Sequence, residues 1–313
     1  MRHQFILNPT AGSGRRTAEI RQRIQAVMGN QSEPWDLYET TGPEDAIRKV
    51  AELAAQGQPV RVYACGGDGT LNECINGAVG HANVAVTHFP TGTGNDFIKT
   101  FDTGQGLFFD LNNLLDGQEM ALDVIDTGGR VGINICSVGI DARIGADVHK
   151  YSHWPLVKGK GAYVVSLLAN VIKRIAEPYE LEVGGKVYRQ KFTLICLCNG
   201  RSYGGAFTPV PDAMPDDGLL DILMAKQVSR FGVAYIVGKY AKGKFRDVPK
   251  VITHLQDKLA TIRADHEFTV NIDGEILRRR EVSFRLLPKA VNFFAPRGAS
   301  FRPDKTNAFV EAE

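Results

Sequence analysis

Residues 62–74, VYACGGDGTLNEC, decide the fold of this chain. An apolar run that is typical of a buried strand meets three glycines around Asp68 and passes directly into a helical pattern. Glycine loops between a strand and a helix expose backbone amides beside a helix N-terminus, which is a common arrangement for binding phosphate. A bare carboxylate at the centre of such a loop repels phosphate, so Asp68 makes sense there only with a partner that offsets its charge.

Strands and helices alternate through the first third of the chain. Apolar runs predict strands at HQFILN (3–8), WDLYET (35–40), VRVYA (60–64) and VAVTHF (84–89), and helical periodicity predicts helices over 15–28, 43–56 and 71–79. The last two helices carry the capping-box patterns Thr41–Glu44 and Thr70–Glu73. Alternation with short connections is typical of a doubly wound parallel α/β domain, which we assign to residues 1–120.

The pattern changes to strands after about residue 120. Seven strand-like segments, among them KFTLICLCNG (191–200), are separated by glycine-rich turns. Helical candidates interrupt them near 161–176 and 229–242. We therefore predict a β-sandwich domain over residues 121–295, followed by a C-terminal tail, 296–313, that is free to pack back on the first domain.

Composition places the chain among cytoplasmic globular proteins. A formal charge of +2 over 313 residues gives no reason to expect nucleic acid as a partner. The five cysteines show neither metal-ligand nor disulfide spacing, which is typical of reduced thiols in the cytosol. The longest uncharged apolar stretch, 161–172, is shorter than the ~20 residues that a membrane-spanning helix needs. Contact with a membrane would therefore be peripheral.

Three glycine loops follow strand ends of the first domain. They are NPTAGSGRR (8–16), GGDGT (66–70) and PTGTGNDF (90–97), and in a parallel sheet all three lie at the carboxyl edge, where such sheets bind ligands. Three loops on one edge favour a nucleotide site over three turns without a ligand. The chain has no Walker pattern GxxxxGK[ST], and the first loop lacks the dinucleotide fingerprint GxGxxG. Arg15 and Arg16 are candidates either for phosphate contact or for a solvated first helical turn.

These loops, in this order and spacing, resemble the catalytic domain of the diacylglycerol kinase family, which includes bacterial lipid kinases and their sphingosine- and ceramide-kinase relatives. GGDGT also occurs in NAD kinases and phosphofructokinases, whereas GTGNDF points to the lipid-kinase branch. In the second domain PVPDAMPDDGLLDILMA (209–225) and NIDGE (271–275) are similar to motifs of the same family. The resemblance implies Mg²⁺-dependent transfer of the γ-phosphate of ATP to the hydroxyl of a lipid such as diacylglycerol.

The resemblance implies that the three loops and the end of the second strand bind ATP. The candidate residues are Asn8, Pro9, Thr10, Ala11 and Gly12 in the first loop, Thr40 after the second strand, Gly66, Gly67, Asp68, Gly69, Thr70, Leu71, Asn72 and Glu73 in the second loop, and Thr93, Gly94, Asn95 and Asp96 in the third. Arg15 joins them because of its place beside the first loop rather than through the resemblance. Asp68 is also a catalytic candidate, which would coordinate Mg²⁺ directly or through water, or accept hydrogen bonds that fix the loop. A turn residue that bonds its own backbone is the alternative.

Two acids of NIDGE are candidates for the proton acceptor. Phosphate transfer to an alcohol benefits from a carboxylate that takes the hydroxyl proton. The resemblance points to Asp273 and Glu275, of which we favour Asp273 with Glu275 close behind. Without the resemblance, an Asp-Gly hairpin with solvated acids is the simpler interpretation.

The acid-rich segment PDDGLLD (215–221) is a candidate metal site. The resemblance implies a structural Mg²⁺ held by Asp217 and the carbonyl groups of Met214 and Leu219, with Asp216 acting through water. An acidic surface turn, which would also include Asp212, is the alternative.

Two basic segments suggest how such a protein reaches a lipid. Residues 158–174 contain an apolar stretch with lysine or arginine at both of its ends. Residues 226–250 carry seven Lys or Arg against one Asp. Such segments suit anionic headgroups, although core-facing helices with solvated basic faces also explain them. The expected partners are therefore a lipid alcohol and a membrane surface, and the architecture is compatible with a homodimer. An NAD kinase, or a silent lipid- or nucleotide-binding regulator on the same fold, is the rival function.

Overall fold

The computed structural model describes residues 1–14, 16–152 and 175–301. By their contacts the residues form two compact units: a first unit of Met1–Leu122 with the chain from Ala290 onward, and a second unit of Asp123–Lys289. Within the described ranges, no helix is long and apolar enough to cross a membrane. Arg15 and the basic segment 158–174 lie outside the described residues.

The first unit is built on a parallel sheet. Its strands are β1 (Arg2–Leu7), β2 (Trp35–Glu39), β3 (Val60–Gly66) and β4 (Val84–Pro90), which pair in the order β2-β1-β3-β4. Strands β1, β3 and β4 are almost continuously buried, as parallel strands with two covered faces are expected to be. The doubly wound α/β domain predicted from the alternation is therefore confirmed.

Helices join these strands. They are α1 (Thr17–Met28), α2 (Asp45–Ala55), α3 (Asp68–Ala78) and α4 (Leu111–Leu115), with 3-10 turns at Ala11–Gly14, Phe97–Thr100 and Gln105–Phe109. The two predicted capping boxes are wrong. Thr41 donates through its backbone N and Oγ1 to the carboxylate of Asp45, at 2.8 and 2.9 Å. Helix α3 begins at Asp68 rather than at Leu71, because Gly67 is its N-cap.

The second unit is mainly antiparallel. Its strands are β5 (Gln118–Asp126), which begins in the first unit, β6 (Val131–Gly132), β7 (Ile135–Gly139), β8 (Glu177–Val183), β9 (Lys186–Cys198), β10 (Leu220–Lys226), β11 (Ile252–Asp257), β12 (Leu259–Ile272) and β13 (Glu275–Ala295). Strands β7 and β8 each pair with both β9 and β12, so the four close a ring around buried side chains such as Leu181, Ile195 and Val270. This arrangement confirms the predicted β-sandwich class.

Two helices are described in the second unit, α5 (Ile140–Ser152) and α6 (Arg230–Ala241). Helix α6 confirms the helix predicted over 229–242. Helix α5 and strands β8 and β11 are elements that the sequence patterns did not indicate. The helix predicted over 161–176 lies almost wholly outside the described residues.

The last strand returns to the first unit. Asn292 and Phe293 of β13 pair in parallel with Ala85 and Val86 of β4, and the ring of Phe293 packs against three other phenylalanine rings of this unit at 5.5–6.4 Å. The structure therefore groups residues 290–295 with the first unit, whereas the sequence pattern assigned them to the second domain, because the end of β13 completes the parallel sheet.

The described part of the C-terminal tail also contacts the first unit. Thr103 and Ser300 form an antiparallel bridge, and the ring of Phe301 packs on Phe101 with 4.2 Å between centroids. Residues 302–313 lie outside the described residues.

Candidate active site

Asn8 holds the first glycine loop. Its Oδ1 accepts hydrogen bonds from the backbone N and Oγ1 of Thr10, at 3.0 and 2.8 Å, and its Nδ2 donates to Oγ1 of Thr70 at 3.1 Å. Gly12 has a φ of +60°, and a Cβ there would lie 2.8 Å from the carbonyl oxygen of Thr91. The first loop is therefore tied to the second by a side chain and lies against the third where only glycine fits.

The second and third loops touch through their glycines. A Cβ on Gly92 would lie 2.6 Å from Cα of Gly67. The carbonyl oxygen of Gly66 accepts the N–H groups of Thr91 and Gly92 at 2.8 and 3.2 Å. Backbone rather than side chains thus forms this part of the sheet edge, which is the property that a phosphate-binding loop needs.

His88 supports the same carbonyl and is a residue that the sequence analysis missed. Its Nε2 lies 3.1 Å from the carbonyl oxygen of Gly66, and this acceptor assigns the ring proton to Nε2. Burial lowers the pKa of His88, against the opposing effect of the Asp68 charge, so the ring is neutral. A histidine within the mostly apolar run VAVTHF was the signal in the sequence.

Asp68 fixes the third loop. Its Oδ1 accepts the backbone N–H groups of Asp96 at 2.5 Å and Phe97 at 3.2 Å, which offset the negative charge. A Cβ on Gly94 would lie 2.9 Å from Oδ2. Among the alternatives considered for Asp68, the structure shows the hydrogen-bonded role, and coordination of Mg²⁺ stays a prediction.

Glu73 stabilises a neighbouring helix. Its two carboxylate oxygens accept the backbone N–H groups of Glu44 at 3.0 Å and Ala46 at 3.2 Å, at the N-terminus of α2. A carboxylate at this end also interacts favourably with the helix dipole. The charge of Glu73 is therefore engaged within the first unit.

The remaining residues predicted to bind ATP differ in burial. Asn8, Pro9, Thr10, Ala11, Gly12, Gly67, Asp68, Gly69, Glu73, Thr93 and Gly94 are half-buried or exposed, whereas Thr40, Gly66, Thr70, Leu71, Asn72, Asn95 and Asp96 are buried. Asn95 donates through Nδ2 to the carbonyl of Gly92 at 2.9 Å, while its buried Oδ1 has no hydrogen-bond partner among the described residues. Arg16 pairs with Glu19 at 3.3 Å.

In the second unit, the turn between β12 and β13 carries both candidate acids. Ile272 pairs with Glu275, which leaves a turn of Asp273 and Gly274 with φ values of +50° and +100°. Two left-handed residues are what a type I′ hairpin requires. The segment therefore forms the Asp-Gly hairpin that the simpler interpretation predicted. Whether Asp273 or Glu275 can also accept a proton depends on what each carboxylate contacts.

The carboxylate of Asp273 is occupied by backbone. It accepts the N–H groups of Ile133 at 2.6 Å, Asn134 at 3.1 Å and Ile135 at 2.7 Å. Three donors use most of the acceptor directions of a carboxylate. This side chain therefore fixes the segment before β7 to the hairpin and keeps little capacity for a substrate proton.

Glu275 is the accessible acid of the pair. Its side chain is 46% exposed, and its Oε1 lies 3.7 Å from Nη2 of Arg130, which is 14% exposed. At this distance the guanidinium orients the carboxylate by charge while leaving acceptor positions open. Arg130 was not among the residues that the sequence indicated.

A buried polar network supports the same turn and was also missed. Asp141, in the first turn of α5, accepts a hydrogen bond from Oγ of Ser137 at 2.6 Å and further bonds from Tyr203 and Asn271. Oδ1 of Asn271 in turn accepts the N–H of Gly274 at 2.8 Å. Burial raises the pKa of Asp141, and the three side-chain donors oppose that effect.

The acidic loop concentrates negative charge around Asp217. Burial raises the pKa of Asp217, the hydrogen bond from the N–H of Leu219 opposes this, and the charges of Asp221, Asp123 and Asp216 raise it further. Crowded carboxylates favour a bound cation. In the described ranges, however, no three acidic, histidine or cysteine side chains converge on one metal position. A metal here would therefore depend on backbone carbonyl groups as well.

Asp123 anchors this loop and was not identified from the sequence. It is fully buried, and its two carboxylate oxygens accept the N–H groups of Gly218 and Lys289, each at 2.7 Å. Its own N–H donates to the carbonyl of Pro215 at 2.7 Å. The loop is thus held by a strand residue rather than left as a solvated turn.

The outer acids of the loop each contact a side chain. Asp212 is exposed and lies 3.2 Å from the exposed Arg246. Asp221 is buried and lies 2.6 Å from Nε2 of His254. The surface-turn interpretation therefore fits Asp212 but not Asp221.

Comparison with known proteins agrees with both units. Residues 2–127 match the family model of the diacylglycerol kinase catalytic domain. Residues 134–295 match the model described as the YegS C-terminal NAD kinase beta sandwich-like domain. The two models together cover most of the chain, as a catalytic α/β domain followed by a β-sandwich-like domain. The chain belongs to the diacylglycerol kinase catalytic domain family.

Relatives and solved structures match the chain over most of its length. Proteins of Staphylococcus aureus strains JH9 and MRSA252, each named as a "putative lipid kinase", are 27% identical over 293 residues, covering 92% of this chain and 93% of theirs. A crystal structure described as a "putative diacylglycerol kinase" from Bacillus anthracis strain Sterne has a TM-score of 0.74 at 24% identity, covering 94% of this chain and 97% of its own. A second from the same strain has a TM-score of 0.70 at 22% identity, with the same coverage. At these identities the structural likeness shows the fold alone.

Proposed function

We propose that this protein is a lipid kinase that transfers the γ-phosphate of ATP to the hydroxyl of diacylglycerol or a related lipid alcohol, with Mg²⁺. The observation that carries the proposal is the bond from Oδ1 of Asp68 to the backbone of Asp96 and Phe97. This contact joins the GGDGT loop, which several kinase families share, to the GTGNDF loop that distinguishes the lipid kinases.

The loops of the first unit supply the ATP site. Their glycines bring backbone amides to one edge of the sheet, where they bind phosphate without a lysine. Two buried polar atoms beside the loops, Oδ1 of Asn95 and Oγ1 of Thr91, have no hydrogen-bond partner among the described residues. A bound nucleotide or its water would satisfy such atoms.

Glu275 is the proposed proton acceptor, in preference to Asp273. A base must offer an unoccupied lone pair to the hydroxyl, and the carboxylate of Asp273 already accepts three backbone N–H groups. Glu275 is half-exposed beside Arg130. In the reaction, the lipid oxygen bonds to the γ-phosphorus, the bond from that phosphorus to the β,γ-bridging oxygen breaks, and Glu275 takes the hydroxyl proton.

The donor atoms of the chain suit Mg²⁺. Oδ2 of Asp68 makes no hydrogen bond within the described residues, and Asp217 lies among carboxylates whose repulsion a cation would relieve. We propose that Asp68 holds the catalytic ion, and that Asp217 with the carbonyls of Met214 and Leu219 holds a structural one, helped by Asp216 through water. Bound Mg²⁺ supplies charge neutralisation on the transferring phosphate.

The substrate class sets the location that we propose. A chain without a spanning helix in its described part must meet a lipid alcohol at the bilayer surface, so we propose a cytoplasmic enzyme that binds membranes peripherally. A homodimer stays a prediction without a specific contact to support it.

The test is phosphate transfer from γ-labelled ATP to a panel of lipid alcohols in neutral detergent micelles, with NAD as a soluble acceptor. We expect label in one lipid class, only with Mg²⁺. Label on NAD would make the protein an NAD kinase. ATP binding without transfer to any acceptor would make it a silent regulator. Either result overturns the proposal.

A further inference from the structure

The outer face of α6 takes no part in the reaction proposed above. Ile236 and Tyr240 pack into a core cluster of the second unit. On the opposite face Ala234, Tyr235 and Gly238 are exposed, and 60% of the Tyr235 surface is accessible. A tyrosine is amphipathic, and such side chains are favoured where protein meets both water and the headgroup region of a bilayer.

This face borders a shallow cavity that is rich in cations. The cavity has a volume of about 350 Å³ and is lined by Ala234, Tyr235, Gly238, Lys239, Lys242 and Lys244. A Cβ on Gly238 would meet no atom within 4 Å. Glycine inside a helix is less favourable than alanine. Since no neighbouring atom excludes a side chain at position 238, the effect of Gly238 is to leave open space on the helix surface.

One of the three lysines forms an ion pair within the described residues, and two do not. Nζ of Lys239 lies 2.6 Å from Oδ2 of Asp247 and 5.7 Å from the ring centroid of Tyr235. Within the described residues, no ion pair joins Lys242 or Lys244 to a carboxylate. The cavity therefore carries an excess of positive charge at an exposed surface, which is complementary to phosphate.

The two unpaired lysines are held by the backbone at the end of α6. Gly243 has a φ of +67°, and its N–H donates to the carbonyl of Tyr240 at 3.1 Å. The N–H groups of Lys242 and Lys244 both donate to the carbonyl of Lys239, at 3.3 and 2.9 Å. The helix end is thus capped by backbone groups, and the lysine ammonium groups are not needed for that purpose.

We propose that this cavity binds the phosphate headgroup of an anionic phospholipid, so that α6 docks the second unit on a bilayer. The proposal rests on the lipid-kinase function for its choice of a bilayer, and it adds to that function the surface that meets the membrane. The headgroup lies over Gly238 between Lys242 and Lys244, and the exposed ring of Tyr235 enters the interface beside it. Asp247 limits the affinity because it neutralises Lys239.

The first test compares two charge reversals by co-sedimentation with phosphatidylcholine vesicles with and without phosphatidylglycerol. Lys242→Glu/Lys244→Glu changes the cavity, and Lys186→Glu/Lys258→Glu makes the same charge change at two other exposed lysines of the second unit. Each cation near an anionic surface strengthens binding by roughly fivefold. We therefore expect the cavity variant to bind phosphatidylglycerol vesicles at least about tenfold more weakly, and the control to bind nearly as wild type.

The second test changes the shape of the cavity and, separately, the carboxylate of Asp247 that pairs with Lys239. Gly238→Gln fills the space without changing charge, and Gly238→Ala leaves most of it open, so only the first should lose binding. Asp247→Asn should strengthen binding severalfold because it releases Lys239. A gain of binding to phosphatidylglycerol vesicles, with none to pure phosphatidylcholine vesicles, is not the result that a misfolded protein would give.

The outcomes separate this proposal from the function on which it rests. Transfer in neutral micelles reports the kinase, whereas vesicle binding reports docking. If wild type binds phosphatidylglycerol vesicles but transfers no phosphate, the proposed function fails and the docking surface stands. Equal losses in both charge-reversed proteins, or normal binding by Gly238→Gln, overturn the headgroup site whatever the transfer assay shows.

Discussion

The carboxylate of Asp273 accepts three backbone N–H groups, so we expect its replacement to lower the stability of the fold. Asp273→Asn turns an amide NH₂ towards one or more of the donors on Ile133, Asn134 and Ile135. Leaving such a donor unsatisfied costs about 1–3 kcal/mol. We therefore expect the free energy of unfolding to fall by about 2 kcal/mol, measured by urea denaturation.

Glu275→Gln is the matched control for that prediction. Its side chain is half-exposed, and its one ion pair among the described residues is the 3.7 Å contact with Arg130. Surface substitutions of this kind usually change stability by less than about 0.5 kcal/mol. Equal stability losses in the two variants would contradict the different roles that we assign to the two acids.

At the same scale, the sequence patterns pointed to these candidate acids but not to the groups that they contact. Asp68, Asp273 and Glu275 stand in short motifs that are recognisable along the chain. The donors that occupy Asp273 are about 140 residues away in sequence, and no local pattern indicates such a pairing. Asp123 and Asp141 were missed for the same reason, since a buried acid can be recognised only once its hydrogen-bond donors from distant segments are known.

Among the structural elements, the contact between the second and third loops is the most sensitive to volume. A Cβ in Gly92→Ala would lie 2.6 Å from Cα of Gly67, which is backbone and has no rotamer to change. Overpacking of this kind costs about 1–3 kcal/mol, and we expect ATP binding to weaken by at least about tenfold because the loops separate. Calorimetric titration with ATP measures this change.

Gly106→Ala is the control from a part of the first unit outside the three loops. A Cβ there would meet nothing within 4 Å, and the residue lies in the 3-10 turn Gln105–Phe109. Alanine is favoured over glycine in helix interiors by up to about 1 kcal/mol. We expect unchanged or higher stability with ATP binding intact; a loss of binding equal to that of Gly92→Ala would argue against close packing as the cause.

The network around α5 makes a prediction about pH. Because burial raises the pKa of Asp141, the folded protein holds this proton at pH values where the unfolded chain has lost it, so stability falls as pH rises above about 4 through the folded pKa. Tyr203→Phe removes a donor to the carboxylate and raises that pKa further. The free energy of unfolding of Tyr203→Phe, measured by urea denaturation, should therefore fall further below that of the wild type as pH rises.

Tyr240→Phe provides the comparison for the pH series. Its hydroxyl lies 3.2 Å from that of Tyr203 and is not a donor to Asp141. The stability difference of Tyr240→Phe from wild type should therefore vary little with pH. A pH-independent deficit for Tyr203→Phe as well would show that Asp141 does not titrate as we infer.

Strands and helices with a strong hydrophobic periodicity were predicted well. Features that depend on contacts with distant segments were not. The four parallel strands and α6 follow from apolar runs and helical spacing. Thr70 and Glu73 match a capping box in sequence, yet Glu73 caps α2 because its neighbour in space is the start of that helix. Strand β8 alternates buried and less buried residues, but its partners β9 and β12 are what make it a strand.

For the whole molecule, Mg²⁺ should act as a stabilising ligand as well as a cofactor. A cation that binds the folded chain alone raises its stability by about 2.7 kcal/mol at a hundredfold excess over Kd. We expect Mg²⁺ to raise the Tm of the wild type and to have a much smaller effect on Asp217→Asn. Asp212→Asn is the control, because Asp212 pairs with Arg246 at the surface.

A Tm that does not respond to Mg²⁺ in any of these proteins would remove the structural ion from the account. The catalytic ion would then be tested by turnover alone, with a chelator added to the transfer assay. We expect the chelator to abolish transfer and added Mg²⁺ to restore it.

The proposed lipid kinase is tested most sharply by transfer of label from γ-labelled ATP to diacylglycerol in neutral micelles, with wild type and Glu275→Gln measured side by side. General base catalysis contributes about 10²–10⁴ to rate. We therefore predict labelled lipid from the wild type, and a rate at least about a hundredfold lower from Glu275→Gln with ATP binding unchanged. Equal rates from the two proteins would contradict the role of Glu275, and label on NAD but on no lipid alcohol would contradict the lipid kinase itself.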